Sequence, residues 1–252
     1  MRMDLNADVG ESFGAYSIGD DGALLRSVTS ANVAAGFHAG DPSVLRATIR
    51  TARDLGVAVG AHPSFPDLTG FGRRDMSLAP QEAEDLVLYQ LAAVDGVSRA
   101  EGVRMAHVKP HGALYNMAAR DRELAEAVAR AVFATDPELV LYTLPRSALA
   151  SAGRAAGLRV LSEGFPDRAY RPDGSLVPRR EPGAVIASVE DVVTRAIQMA
   201  TERTVTAVDG TLLHLDVESL CIHGDTAGAP TLAAWIRAGL PSDGVDVRAP
   251  RA

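Results

Sequence analysis

Histidine is scarce in this sequence, yet most of its copies fall where short apolar stretches end. Five of the six histidines have this placement, beside glycine, proline or further polar residues, and they are His38, His62, His107, His111 and His223. One histidine in such a place is as often a hydrogen-bonded turn residue as a functional one. Five in equivalent positions of a repeated unit favour a shared chemical site. His214 falls inside a predicted hairpin, and we expect it to be structural.

Lys109 is the single lysine among 25 basic residues, and it lies between His107 and His111 in the segment Ala-His-Val-Lys-Pro-His-Gly. A compact ammonium there can balance negative charge that develops on a carbonyl or phosphoryl oxygen. Its amine can also act as a Schiff-base nucleophile, although no neighbouring residue requires that role. Because Pro110 follows it, Lys109 does not belong to a Gly-Lys-Ser/Thr phosphate loop. Any ATP is therefore handled without a Walker A motif.

Polar residues also occupy the ends of the other predicted strands. They include Asn6, Asp8, Glu11, Asn32, Arg73, Glu163, Asp167, Arg168 and Asp225. A carboxylate such as Asp8 beside several imidazoles can form a divalent-metal site, and the same groups can do general acid–base chemistry without a metal, so both alternatives stay open. No Gly-x-Ser-x-Gly elbow is present and Cys221 lies in an apolar stretch, so a serine or cysteine nucleophile is not expected.

The elements that must position these residues alternate between short strands and amphipathic helices. The predicted strands are Met3–Ala7, Ala31–Ala35, Val57–Ala61, Met105–Val108, Leu139–Leu144, Leu158–Leu161, Leu220–Ile222 and Val245–Val247. The predicted helices are a short one with Leu24–Val28, one from Pro42 with Asp41 as its N-cap, Pro80–Glu101, Arg122–Phe133, Ser147–Ala156, Val189–Ala200 and one around Leu232–Ala238. The pair Asp209-Gly210 predicts a two-residue hairpin turn, and Gly164–Gly183 predicts a long functional loop.

Repeated strand–helix alternation predicts an α/β fold with a parallel sheet and outer helices. Seven or eight repeats suit a closed or nearly closed barrel, in which the chemistry lies at the C-terminal ends of the strands. No G-x-G-x-x-G follows the first strand, which weighs against a doubly wound dinucleotide-binding sheet. No linker-like segment interrupts the chain, so we expect residues 1–252 to form one domain.

The overall charge narrows the partners. The formal net charge is −7, which argues against nucleic acid or an anionic membrane surface as the main partner. One cysteine forms no internal disulfide, and the first residues lack an apolar signal core, so we expect a cytoplasmic protein. No apolar run approaches the ~18 residues of a membrane span.

Several motifs together resemble a known family. They are Asp4-Leu5-Asn6-Ala7-Asp8-Val9-Gly10-Glu11, Ser30-Ala31-Asn32 through Gly36-Phe37-His38-Ala39-Gly40-Asp41, Gly60-Ala61-His62-Pro63-Ser64-Phe65-Pro66-Asp67, Val108-Lys109-Pro110-His111-Gly112-Ala113-Leu114-Tyr115, Asp167-Arg168-Ala169-Tyr170 and Cys221-Ile222-His223-Gly224-Asp225. In this order they are similar to the LamB/YcsF family over nearly the whole chain. The resemblance implies a seven-stranded barrel akin to glycoside hydrolases and polysaccharide deacetylases. It also implies ATP-dependent opening of 5-oxoproline to glutamate, with release of ADP and phosphate, in an assembly with 5-oxoprolinase subunits B and C.

Combining this resemblance with the strand-end positions gives a hypothesis for the individual residues. The predicted catalytic residues are Asp8, His107, Lys109 and His111, and the possible metal ligands are Asp8, His38 and His62. The predicted substrate-binding residues are Asn6, Glu11, Asn32, Arg73, Tyr115, Arg168 and Asp225. ATP is then a co-substrate, and a divalent metal is possible, either magnesium with ATP or a bound transition metal. Two other functions stay open, namely a stand-alone metal-dependent amide hydrolase or deacetylase and a non-catalytic 5-oxoproline-binding subunit.

Overall fold

The structure is a computed structural model that describes residues 1–226 and 228–250. Its strands are β1 (Arg2–Val9), β2 (Ser30–Ala34), β3 (Ala58–His62), β4 (His107–Val108), β5 (Val140–Thr143), β6 (Arg159–Gly164), β7 (Thr204–Thr206), β8 (Leu212–His214), β9 (Ser219–His223) and β10 (Asp246–Val247). Its helices are α1 (Asp21–Leu24), α2 (Pro42–Asp54), α3 (Pro80–Ala100), α4 (Gly112–Ala118), α5 (Arg122–Thr135), α6 (Ala148–Ala155), α7 (Val189–Thr201) and α8 (Ala229–Gly239).

Seven parallel strands close into a barrel. The order is β1-β2-β3-β4-β5-β6-β9, and β9 pairs again with β1. The short strand β10 joins the start of β1, with Arg2 opposite Asp246. The predicted seven-stranded α/β barrel is therefore confirmed.

Residues of β1 alternate strictly between the two faces of the barrel wall. Met3, Leu5, Ala7 and Val9 are buried in the hydrophobic core between the strands and the outer helices. The intervening polar residues of β1 are buried as well, and their side chains bond to residues of other barrel strands. Because strand side chains alternate with a period of two, this pattern lines the inside of the barrel with polar groups.

The outer helices begin and end near the predicted capping residues. The Asp41 side chain accepts hydrogen bonds from the backbone N–H groups of Ser43 (2.8 Å) and Val44 (2.9 Å), as predicted for an N-cap followed by proline. The short helix predicted with Leu24–Val28 instead begins at Asp21, because Asp20 caps it through the N–H of Ala23.

The hairpin between β7 and β8 differs from the prediction. The N–H of Ala207 bonds to the carbonyl of Thr211, so the loop contains three residues, 208 to 210, rather than two. Gly210 has a φ of +88°, the left-handed conformation that a three-residue hairpin loop needs at its last position.

The predicted long loop is confirmed as the segment between β6 and α7, where isolated bridges join Arg168 to Val185 and Tyr170 to Leu176. Within the described part of the chain, no helix combines the length and the apolar character that a membrane span would need.

Candidate active site

The inside of the barrel holds stacked layers of polar side chains that rise toward the C-terminal ends of the strands. The register places Asp8 of β1 level with Asn32 of β2 and with His223 of β9. Beyond β4, the backbone N–H groups of Lys109 and His111 bond to the carbonyls of Ala61 (3.0 Å) and Pro63 (2.8 Å). These two bonds extend the pairing with β3 and fix both side chains over the mouth of the barrel.

Asp4 forms the lowest polar layer, and it is not among the predicted site residues. Its Oδ1 accepts from the hydroxyls of Thr29 and Ser30, both at 2.7 Å, and its Oδ2 accepts from Tyr142 (2.9 Å) and Ser219 (2.5 Å). Burial raises the pKa of Asp4 in spite of these four donors. The alternation of β1 was a usable signal for this inward position, but the partners lie on distant strands.

His107, Asn32 and Asn6 form the next layer. Nε2 of His107 lies 2.8 Å from Oδ1 of Asn32, whose amide donates to Oδ1 of Asn6 (2.7 Å) and to Oδ1 of Asp8 (2.9 Å). Because an amide oxygen only accepts, His107 is the donor in the first of these bonds. Burial lowers the pKa of His107 to about 3, so the ring is neutral at pH 7. His107 therefore orients Asn32, and through it Asp8, from below.

Lys109 lies at the centre of the layer above. Its Nζ is 3.0 Å from Oδ1 of Asp8, 3.2 Å from Oε2 of Glu163, 3.2 Å from Oδ1 of Asn6 and 2.8 Å from Sγ of Cys221. Burial by itself lowers the pKa of Lys109, but the charges of Asp8 and Glu163 and the hydrogen bond to Cys221 together raise it well above its ordinary value. The side chain is thus a charged ammonium in a closed environment.

The carboxylates around Lys109 differ in their protonation behaviour. Burial raises the pKa of Asp8, but the nearby His62 and Lys109 outweigh it and hold that pKa well below its usual range. Burial raises the pKa of Glu163, whose Oε1 accepts the hydroxyl of Tyr115 at 2.7 Å. Asp8 is therefore the ionised carboxylate of this layer.

A second cluster of side chains lies beside Asp8 at the mouth. It consists of Glu11, His38, His62 and His111, all buried, each offering one donor atom within 4.8 Å of the others. Nε2 of His38 is 3.2 Å from Oε1 of Glu11, and Nδ1 of His111 is 2.9 Å from Nε2 of His62. Burial lowers the pKa of His38 and of His111 well below the ordinary value and raises that of Glu11.

The structure groups the possible metal ligands differently from the predicted set of Asp8, His38 and His62. His38 and His62 lie together with Glu11 and His111, whereas Asp8 meets this cluster through His62, whose Nε2 is 3.4 Å from Oδ2 of Asp8. Asp8 also belongs to a second possible ligand group with Cys221 and His223.

The remaining predicted residues lie around the rim. Arg73 pairs with Asp225 at 2.6 Å, and both side chains are partly open to solvent. Nδ1 of His223 lies 2.8 Å from Oδ2 of Asp167, which connects β9 to the long loop. Arg168 is buried and donates to the carbonyls of Val177 (2.5 Å) and Ala184 (3.2 Å), so the structure uses its guanidinium to close that loop. His214 is exposed and lies outside the site.

Comparison with known proteins agrees with this architecture. The sequence profile of the LamB/YcsF family matches residues 3–252. The 5-oxoprolinase A subunit from Tolumonas auensis is 53% identical over 248 residues, which cover 98% of this chain and 99% of that protein. The crystal structure of the lactam utilization protein from Thermus thermophilus is 49% identical, covers 99% of this chain and 100% of its own, and superposes with a TM-score of 0.93.

A more distant structure shows the fold alone. The catalytic domain of peptidoglycan N-acetylglucosamine deacetylase from Eubacterium rectale has 14% identity and a TM-score of 0.52, and the match covers 99% of this chain and 88% of that domain. The family profile and the full-length relative at 53% identity decide the classification. This chain belongs to the LamB/YcsF family.

Proposed function

We propose that this chain is the A subunit of an ATP-dependent 5-oxoprolinase, which hydrolyses the lactam bond of 5-oxoproline to give L-glutamate. One ATP is converted to ADP and phosphate in each turnover, and 5-oxoprolinase subunits B and C complete the enzyme. The full-length similarity to relatives that carry this name supports the proposal, and the name of the Thermus protein points to a lactam as well. We further propose that residues 1–252 form one domain and that the enzyme acts in the cytoplasm.

The single observation that carries the proposal is the buried Lys109 between Asp8 and Glu163 at the barrel mouth. A lactam carbonyl is a poor electrophile, and phosphorylation of its oxygen prepares the ring carbon for attack by water. The Lys109 ammonium then stabilises negative charge on the reacting oxygen or phosphoryl group. Asp8 accepts a proton of the attacking water and passes it to the ring nitrogen, so that the C–N bond breaks and this nitrogen becomes the amine of glutamate. A second water then hydrolyses the acyl phosphate that remains, which gives the side-chain carboxylate of glutamate and releases the phosphate.

The other predicted residues receive supporting roles in this proposal. His107 acts as a positioning residue, since it bonds to Asn32 rather than facing the mouth. Asn6, Asn32 and Tyr115 hold the two carboxylates and the ammonium in place. Arg73 and Asp225 bind the carboxylate and the amide of the substrate at the rim.

A second candidate function is a metal-dependent amide hydrolase that acts without ATP, and the cluster of Glu11, His38, His62 and His111 favours it. The two functions differ in their need for a nucleotide and for partner subunits.

Co-purification with subunits B and C, followed by an assay of every combination for glutamate release, tests the proposal. We expect glutamate only when all three subunits and ATP are present, with phosphate released in equal amount. Glutamate or acetate release by this chain alone, without ATP, would instead establish the amide hydrolase. Binding of 5-oxoproline by this chain without turnover in any combination would show a non-catalytic binding subunit.

A further inference from the structure

The tautomers of two histidines at the barrel mouth are fixed by backbone carbonyls. Nδ1 of His62 lies 2.7 Å from the carbonyl oxygen of Lys109, and Nε2 of His111 lies 2.8 Å from that of Phe71. A carbonyl oxygen only accepts, so both of these ring nitrogens carry a hydrogen. A metal ion would therefore be bound by the opposite nitrogens, Nε2 of His62 and Nδ1 of His111.

These two nitrogens face each other at 2.9 Å. A proton shared between the rings, or a metal ion bound to both nitrogens, holds them at this distance. Oε1 of Glu11 lies 3.7 Å from Nδ1 of His111, and Nε2 of His38 lies 3.2 Å from the same oxygen. Nδ1 of His38 is also buried and has no hydrogen-bond partner among the described residues.

From this arrangement we infer that Glu11, His38, His62 and His111 form a binding site for one divalent transition-metal ion. Three imidazoles and one carboxylate are a donor set that suits zinc and its first-row neighbours rather than calcium or magnesium. Metal–ligand bonds of about 2.0 Å in tetrahedral geometry put ligand atoms about 3.3 Å apart. The separations of 2.9, 3.2 and 3.7 Å between donor atoms lie on both sides of that value.

The surroundings of the cluster supply what such a site needs. The ring nitrogens of His62 and His111 that do not face the cluster donate to backbone carbonyls, an arrangement that holds metal-bound histidines in one orientation. Phe71, whose carbonyl serves His111, has a φ of +55°, which is rare for a bulky residue. Its ring stands edge-on to His38 and His111, with centroids 5.6 and 5.4 Å away, and covers the cluster.

Four residues that are at most 4% exposed thus gather their donor atoms beside Asp8. An ion there is a Lewis acid next to the carboxylate that we propose as the proton acceptor. The inference does not rest on the proposed 5-oxoprolinase activity, because metal binding can be measured on this chain alone.

Elemental analysis of the full-length chain, purified without a polyhistidine tag and titrated with Zn²⁺ or Co²⁺ after chelation, tests the site. We expect one equivalent of tightly bound metal in the unaltered chain. His38→Ala and His111→Ala should each weaken binding at least tenfold. His214→Ala removes an exposed histidine outside the site and should bind as the unaltered chain does.

His223→Ala separates this site from the other possible group, which contains Asp8, Cys221 and His223. If His223→Ala loses the metal while His38→Ala keeps it, the inference is overturned, and absence of tight binding to the unaltered chain overturns it too. Should the alanine variants fold poorly, the visible spectrum of the Co²⁺ form of the unaltered chain still decides. A spectrum of nitrogen and oxygen ligands supports the site, whereas a sulfur-to-cobalt charge-transfer band would place the ion at Cys221 instead.

Discussion

Nζ of Lys109 lies 3.0 Å from Oδ1 of Asp8, and the two side chains are only 3% and 5% exposed. Removal of either partner would leave the other charge buried and unpaired, which costs about 3–5 kcal/mol of folding free energy. The pair is stable because Asn6, Asn32, Cys221 and Glu163 satisfy the remaining donors and acceptors. Neither residue can therefore be exchanged without changing the protonation and position of the other.

Replacement of Lys109 by arginine keeps the charge but not the compact ammonium. Four partner atoms lie within 3.2 Å of Nζ, so a planar guanidinium does not fit without moving Asp8 or Glu163. We expect Lys109→Arg to lower kcat of the reconstituted complex by about 100-fold or more. Arg122→Lys, a change at a side chain that is 86% exposed, is the matched control. Turnover at the unaltered rate in a variant that folds normally would show that Lys109 has no part in the reaction.

Alternation along strands explains how much of this site the sequence predicts. The spacing of Asn6 and Asp8 on β1, and of His107 and Lys109 around β4, places these pairs inside the barrel and near its C-terminal end, as expected. The same rule applies to β9, where Cys221 also lies inward and contacts Lys109. The apolar neighbours Leu220 and Ile222 hid this position, because they dominate the local composition while pointing to the other face.

Contacts between distant strands set the limit of that prediction. The four hydroxyl partners of Asp4 lie 25 to 215 residues away along the chain, so only the register of the closed barrel brings them together. An arginine such as Arg168 is a common anion-binding residue, but here its guanidinium donates to backbone carbonyls of a loop without regular structure. No residue type or spacing signals such a bond.

The close approach of Gly60 to His107 gives a prediction with a built-in control. A Cβ added at Gly60 would lie 2.2 Å from the His107 ring, whereas a Cβ at Gly96, in the exposed part of α3, would meet nothing within 4 Å. We expect Gly60→Ala to lower the free energy of unfolding by about 1–3 kcal/mol through overpacking, and to reduce turnover by displacing His107 from Asn32. Gly96→Ala should raise the free energy of unfolding by about 0.5–1 kcal/mol.

Denaturant unfolding of both glycine variants measures these effects. Equal changes of the same sign in the free energy of unfolding of the two variants would mean that the position of the His107 ring does not depend on the absence of a side chain at Gly60.

Variants of Arg73 and Arg168 distinguish a role in substrate binding from a role in holding the long loop. Arg73 is partly exposed at the rim and paired with Asp225, so its guanidinium is free to exchange that partner for a substrate carboxylate. We expect Arg73→Ala to raise the KM for 5-oxoproline at least about tenfold with a smaller change in kcat. Arg168→Ala should instead lower the melting temperature, because it leaves the Val177 carbonyl without a donor and removes one of the two donors to the Ala184 carbonyl.

Arg120→Ala, a change at a side chain that is 72% exposed, is the control for both arginine variants in the same steady-state and melting measurements. A KM that is unchanged in Arg73→Ala but raised in folded Arg168→Ala would reverse the two assignments.

The ion pairs of Glu101 with Arg46 and Arg50 join the end of α3 to α2, and we expect them to be sensitive to acid. Hydrogen bonds from Arg50 and Arg46 lower the pKa of Glu101 from its ordinary 4.5 to about 2. Because the folded-state pKa lies below the unfolded-state value, folding favours the charged carboxylate. Its contribution to stability is therefore complete above about pH 4.5 and disappears as the pH falls toward 2.

We expect Glu101→Gln to be less stable than the unaltered chain at pH 7, with the difference shrinking between pH 4.5 and 2. Urea unfolding across this range measures the difference, with Glu126→Gln on the exposed face of α5 as the control, and a difference that stays constant down to pH 2 would contradict the shifted pKa.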